Sequence, residues 1–128
     1  MSQFTIVPSV KFEILLPATY IDPHDPTETP RFVQRTEVAR YLVKMTEKYG
    51  GYTISNPYAP PPFEGGYEGG PRERSWLVMI IIPDHLVNEA EQDIQEMVSF
   101  FQQTYHQAEI LAYHYAINRY VPAPPPNF

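Results

Sequence analysis

The sequence contains no cysteine. Disulfide frameworks, thiolate metal sites, iron–sulfur clusters and cysteine nucleophiles are therefore excluded. The chain also lacks the apolar run of about eighteen residues that a membrane-spanning helix requires, and residues 1–10 show no basic segment followed by an apolar one. We therefore expect a cytoplasmic protein that is neither exported nor embedded in a membrane.

Basic residues are few, because 9 lysines and arginines stand against 15 acidic residues and give a net charge of -6. This charge is opposite in sign to that of a surface that binds phosphate groups, so general nucleic-acid binding is disfavoured. RNA recognition on a sheet is disfavoured as well, because the apolar segment 75–82 is mostly aliphatic and lacks the aromatic pattern that stacks on bases. Neither a nucleic acid nor a membrane is predicted as a partner.

Proline and tyrosine are abundant instead, with 15 and 10 copies. Prolines mark segments outside helix interiors and central strands, and apolar periodicity assigns the segments between them. The predicted elements are a strand at 10–16, a helix ending at 49, strands at 52–55 and 75–82, a helix over 86–105 and a strand at 109–121. This β-α-β-β-α-β order predicts an α+β fold, namely a ferredoxin-like sandwich. Its four-stranded antiparallel sheet would have the order four-one-three-two, with two helices on one face.

These elements form one predicted domain over residues 1–121. Segment 56–74 is rich in proline and glycine, and connections of this length are usually either functional or disordered. We expect it to be mobile without a partner and to be a possible contact for a small ligand or a partner protein. Residues 122–128 contain four prolines and are predicted to form a flexible tail.

The face of the predicted sheet that the helices leave uncovered is unusually apolar. The third strand is apolar on both faces, so either Leu77, Met79 and Ile81 or the alternating set of Trp76, Val78, Ile80 and Ile82 must point away from the helices. On the fourth strand the smaller set, Ile110, Ala112, His114 and Ala116, fits better beneath helices, which assigns the set of Leu111, Tyr113, Tyr115 and Ile117 outward. Such a patch exceeds what monomers usually expose, and it predicts a homo-oligomer.

Lys11 and Glu13 would be the polar groups on this face, beside Tyr113 and Tyr115 if the first and fourth strands pair. We therefore take these four residues as a candidate ligand-binding site. His114, which lies between the two tyrosines in the sequence, is a further candidate.

No motif points to a metal, a cofactor or a catalytic group. The histidines His24, His85, His106 and His114 lie in different elements, and the acidic segment 22–28 lacks the glycine and terminal glutamate of a calcium loop. Glycine-rich segment 65–70 lacks the lysine and helix that follow a P-loop. The nearby Arg72 and Arg74 remain candidates for contacting an anionic ligand or partner.

Two segments resemble the PII-like signalling proteins, which share this element order. Gly51-Tyr52-Thr53-Ile54 is similar to the strand that enters their long loop, and Ile81-Ile82-Pro83-Asp84-His85-Leu86-Val87 is similar to the exit of their third strand. The resemblance implies a trimer that binds nucleotides or other small anionic effectors between subunits. It carries over no binding residue, because Thr104-Tyr105-His106-Gln107-Ala108 replaces the family's basic glycine-rich turn. The chain also resembles stand-alone ferredoxin-like proteins of unknown function.

Two functional hypotheses follow. The first is a non-enzymatic, self-associating module that binds a small ligand or a partner protein, for which the resemblance to the PII-like proteins implies a regulatory role. The alternative is a small enzyme of the dimeric ferredoxin-like type with a site on the uncovered sheet face around Tyr113, His114 and Tyr115. Convergent polar groups in a pocket would favour the enzyme, whereas a flat apolar surface would favour the module.

Overall fold

The computed structural model describes residues 3–55, 63–65 and 73–122. Most of the predicted loop 56–74, and all of the predicted tail 122–128 except residue 122, lie outside these residues. The expectations of mobility in the loop and tail stay predictions.

The protein is α+β, with a four-stranded antiparallel sheet and two helices, as the sequence predicts. The helices are α1 (Arg35–Tyr49) and α2 (Val87–Thr104), the latter preceded by a 3-10 turn at Asp84–Leu86. The strands are β1 (Phe4–Pro17), β2 (Thr19–Tyr20), β3 (Arg31–Phe32), β4 (Thr53–Ile54), β5 (Phe63–Gly65), β6 (Glu73–Pro83) and β7 (Ala112–Pro122).

The main sheet has the strand order β4-β6-β1-β7, all neighbours being antiparallel, and β5 also pairs with β6. β2 and β3 form a separate two-stranded sheet. Because β1 lies between β6 and β7, its residues Ser9 to Ile14 have a cross-strand neighbour on both sides. Lys11 stands opposite Ile81 and Tyr115, and Glu13 stands opposite Met79 and Tyr113.

The core lies between the sheet and the two helices. Alternate residues of β1 and β6 point into it: Val10, Phe12, Ile14 and Leu16 from β1, and Trp76, Val78, Ile80 and Ile82 from β6. The helices contribute the residues at their apolar spacing, namely Val38, Leu42, Met45, Ile94, Met97 and Phe101. The sequence left the orientation of the third strand open, and the structure places Trp76 and its alternating set under the helices. Each of these large side chains stabilises the fold by about 1.5–3 kcal/mol through burial.

Strand β1 begins at Phe4, six residues before the predicted start. Its extension includes Pro8, which cannot donate a backbone hydrogen bond. Pro8 pairs with Asn118 on β7, whereas the pairing of β1 with β6 ends one residue later at Ser9. The proline therefore lies where β1 has a neighbour on one side only, which is a position that a sheet tolerates.

The carboxylate of Asp93 on α2 fixes the end of α1. Asp93 is only 8% exposed, and its Oδ2 accepts hydrogen bonds from Lys48 Nζ at 2.9 Å and from Tyr49 Oη at 2.7 Å. Burial alone would raise the pKa of Asp93, but the hydrogen bonds from Lys48 and Tyr49 outweigh it and lower that pKa. Burial raises the pKa of the Tyr49 phenol, and the neighbouring Asp93 carboxylate raises it further. The phenol therefore stays protonated and donates its hydrogen bond to Asp93. This contact holds the residue that precedes the turn at Gly50, where φ is 95°.

Replacing Asp93 by asparagine is expected to lower the free energy of unfolding by about 1–3 kcal/mol, because a buried hydrogen-bonded charge is lost. Since the folded-state pKa of Asp93 is lowered, its contribution is present at neutral pH and is lost as the pH falls below the ordinary value of 3.8. Urea denaturation at pH 7 and pH 3 measures both effects. Glu96→Gln, which removes an exposed partner of Lys44, is the control and should change stability by less than about 0.5 kcal/mol. Equal effects of the two substitutions would contradict this role of Asp93.

Candidate functional site

The sheet face opposite the helices, here called the open face, carries the tyrosine-rich set of β7, as the sequence predicts. Tyr113 and Tyr115 are 44% and 41% exposed. From β6, Ile81 is 38% exposed, and Leu77 and Met79 are partly buried. The register of β1 places Lys11 and Glu13 among these side chains.

Four of the predicted site residues meet on this face around one carboxylate. Glu13 Oε1 accepts a hydrogen bond from Tyr115 Oη at 2.9 Å, and Glu13 Oε2 accepts one from Tyr113 Oη. Lys11 Nζ lies 3.3 Å from Glu13 Oε1. The two tyrosine rings stack with their planes 21° apart and their centroids 6.4 Å apart. We call these four residues the Glu13 cluster.

The electrostatics of the Glu13 cluster fix its protonation at neutral pH. The hydrogen bonds from Tyr113 and Tyr115 lower the pKa of Glu13, and the hydrogen bond to Glu13 raises the pKa of Lys11. The same carboxylate raises the pKa of Tyr113. Glu13 is therefore an anion paired with a cation and two phenol donors, so it is poorly suited to act as a general base.

His114 is not part of this cluster. It lies on the opposite face of β7, where its ring is 4.8 Å from that of Phe12 and its Nε2 is 3.1 Å from Glu91 Oε1 on α2. Alternation along a strand sends neighbouring residues to opposite faces, which is why His114 and the two tyrosines separate. The structure thus does not assemble the site of Tyr113, His114 and Tyr115.

Arg74, one of the two arginine candidates, does not join the Glu13 cluster either. Arg74 lies at the start of β6, where its backbone N–H points to Thr19 Oγ1 at 3.4 Å and its carbonyl accepts a bond from Ala18. Arg72 lies outside the described residues.

A cleft of about 370 Å³ opens beside the Glu13 cluster, and the sequence analysis missed it. Two cationic side chains, Lys11 and Arg119, line it. Its other lining residues come from the end of α1, from the turn into β4 and from the open face: Tyr49, Gly50, Gly51, Tyr52, Thr53, Met79 and Ile81. None of the lining residues in the described part of the chain is acidic. We call this the Lys11–Arg119 cleft.

The alternation of side chains along the last strand could have predicted that Arg119 lies on the open face. It is two residues beyond Ile117 and therefore belongs to the same outward set as Tyr113 and Tyr115. The contribution of Gly50 and Gly51 could not be read in this way, because it depends on where the end of α1 packs against the sheet.

Arg31 pairs with two of the three carboxylates of the acidic segment 22–28. Arg31 lies 3.3 Å from Asp22 Oδ2 and 3.8 Å from Asp25 Oδ2, and Asp25 also accepts hydrogen bonds from Thr27. Across residues 3–55 and 73–122, no group of three or more potential metal ligands comes together. No helix in the described part of the chain is long and apolar enough to cross a membrane.

The chain gives no match to models of known protein families, to curated proteins or to solved structures. The functional argument therefore depends on the geometry of the open face and of the Lys11–Arg119 cleft.

Replacing Glu13 by glutamine is expected to lower the pKa of Tyr113 toward its ordinary value of 10.0, because the carboxylate is the main cause of the increase. NMR of protein with ¹³C-labelled tyrosine rings, recorded across an alkaline pH series, measures this pKa. Glu91→Gln changes a carboxylate on the other side of β7 and should leave Tyr113 unaltered. An unchanged Tyr113 titration in the Glu13 variant would show that the hydrogen bond does not persist in solution.

Proposed function

We propose that this protein is a non-enzymatic module that self-associates through the open face and binds a small anionic ligand in the Lys11–Arg119 cleft. The observation that carries the proposal is an exposed apolar sheet face whose Glu13 cluster already satisfies its own polar groups. The cleft adjoins that face and shares Lys11 with it.

Self-association is supported by what the open face presents to water. Three of its large apolar or aromatic side chains, Ile81, Tyr113 and Tyr115, are each exposed by more than a third. Patches of this kind on soluble proteins mark interaction surfaces. A second copy would remove this area from water, and the hydrophobic gain is about 25 cal/mol for each Å² of apolar surface.

The Glu13 cluster supports the same reading, because buried polar groups are tolerated where they are hydrogen-bonded and buried charges where they are paired. Glu13 has donors on both oxygens and a cation beside it, so covering it need not leave an unpaired charge. The opposite charges of Lys11 and Glu13 also leave the cluster neutral, which avoids repulsion between two copies of the same face.

The ligand class follows from the charge of the cleft. Lys11 and Arg119 would attract an anion, and Arg119 can present a planar fork of donors to a carboxylate or a phosphate. Gly51, Tyr52, Thr53 and Ile81, which line the cleft, belong to the two segments that resemble PII-like proteins. No binding residue carries over from those proteins, so a regulatory role for the ligand is part of the proposal.

The enzyme alternative has less support. His114, the histidine of the predicted enzyme site, faces away from both tyrosines, and the Glu13 carboxylate already interacts with three donors. We further infer that the fold is ferredoxin-like, from the element order and the strand order β4-β6-β1-β7. A cytoplasmic location and contact of a partner protein with segment 56–74 also remain proposals.

Replacing both Met79 and Tyr113 by aspartate is expected to split the assembly, because two negative charges would enter an apolar surface beside Glu13. Sedimentation velocity across a concentration series measures the change, and circular dichroism checks that the variant is folded. Val43→Asp is the matched control, because Val43 is 56% exposed on α1 and lies away from the open face. A wild-type protein that stays monomeric at high micromolar concentration would overturn the proposed self-association.

Replacing Arg119 by alanine is expected to weaken the binding of inorganic phosphate by about tenfold or more, since a hydrogen bond to a charged group is worth about 1.5–3 kcal/mol. Phosphate titration followed by NMR of the backbone amides of residues 49–53 measures the affinity. Arg40→Ala removes a cation from the helix layer and should leave the affinity unchanged, because Arg40 pairs with Glu37 and packs on aromatic rings there. If both variants bind phosphate like the wild type, the cleft is not an anion site.

A further inference from the structure

We propose that an anion in the Lys11–Arg119 cleft weakens self-association by drawing Lys11 away from Glu13. This inference rests on the proposed function, because it links the cleft to the interface through Lys11, the cationic side chain that lines the cleft and pairs with Glu13. It adds regulation: the state of the ligand site would set the strength of the assembly.

Lys11 is the link because of its position. Its side chain lines the cleft, and its Nζ is also 3.3 Å from Glu13 Oε1. The side chain is 26% exposed, so a ligand can reach the ammonium group. A lysine side chain is flexible and carries a compact charge, so it can turn from one anion to another by a change of rotamer.

Glu13 depends on that cation. Its side chain is 13% exposed, and among the described residues Lys11 is the only cationic side chain within ion-pair distance of it. The phenols of Tyr113 and Tyr115 hydrogen-bond the carboxylate but do not cancel its charge. Burying an anion without its cation is costly, because the carboxylate loses water and gains no compensating charge.

The consequence is a linkage between two equilibria. An anion held by Arg119 and Lys11 leaves Glu13 as an uncompensated charge on the open face, and a second copy must then bury that charge. By thermodynamic reciprocity, assembly must weaken anion binding by the same factor. Anion binding in the cleft would thus shift the assembly equilibrium toward separated subunits.

Sedimentation velocity of the wild-type protein, with inorganic phosphate or with sodium chloride at the same ionic strength, tests the inference. We expect the dissociation constant of the assembly to rise by about fivefold or more in phosphate, the lower end of typical coupling between sites. In Glu13→Gln, where no carboxylate needs a cation, the ratio of the two constants should fall to about one. In Arg119→Ala the ratio should also fall to about one, because the cleft then binds the anion weakly. In Arg40→Ala it should stay at the wild-type value.

The outcomes separate the two proposals. A wild-type protein that associates equally in phosphate and chloride overturns the coupling and leaves self-association intact. A Glu13→Gln variant that responds to phosphate like the wild type also overturns it, because the effect would then not pass through Glu13. A monomer under all conditions overturns the proposed function together with this inference.

Discussion

The alternation of side chains along β1 is the constraint on which the rest of the structure depends. One alternating set of residues enters the core beneath the helices: Val10, Phe12, Ile14 and Leu16. The other set contains Lys11 and Glu13. Because β1 lies between β6 and β7, the second set is surrounded by side chains from both neighbours. A shift of register by one residue would bring a lysine and a glutamate into the core and the apolar residues to the open face.

The same constraint explains why the open face combines apolar area with paired charge. The antiparallel register sets Glu13 opposite Tyr113 and sets Lys11 opposite Tyr115, so the phenols reach the carboxylate without any loop. Side chains on neighbouring strands are held by the sheet, so forming these contacts costs little conformational entropy. Glu13 is thereby made a fixed, hydrogen-bonded anion, which suits a surface that is covered by another copy better than a site that must move protons.

Much of the architecture could be predicted from the sequence, because the two-residue period of β1 and the apolar run of β6 are strong signals. The outward placement of Tyr113 and Tyr115 followed from the smaller size of Ala112 and Ala116, which suit the helix-facing side. The short pairings were missed. β2 and β3 contain two residues each, β5 contains three, and strands of that length have no periodicity to detect.

The candidate site could be predicted only in part, for a similar reason. Residues within one strand pair are related by alternation, so the Glu13 cluster was visible in the sequence. The Lys11–Arg119 cleft also needs the end of α1, and its position is set by packing and by the contact of Tyr49 with Asp93. Such a relation between a helix and a distant strand is a tertiary property that a single sequence does not encode locally.

Native mass spectrometry of freshly purified wild-type protein tests the central claim most directly, because it reports the number of subunits and any retained small molecule in one measurement. The account predicts a homo-oligomer as the main species at micromolar concentration, with a shift toward single chains when phosphate is added before the measurement. A spectrum that contains only the mass of one chain at every protein concentration would contradict it.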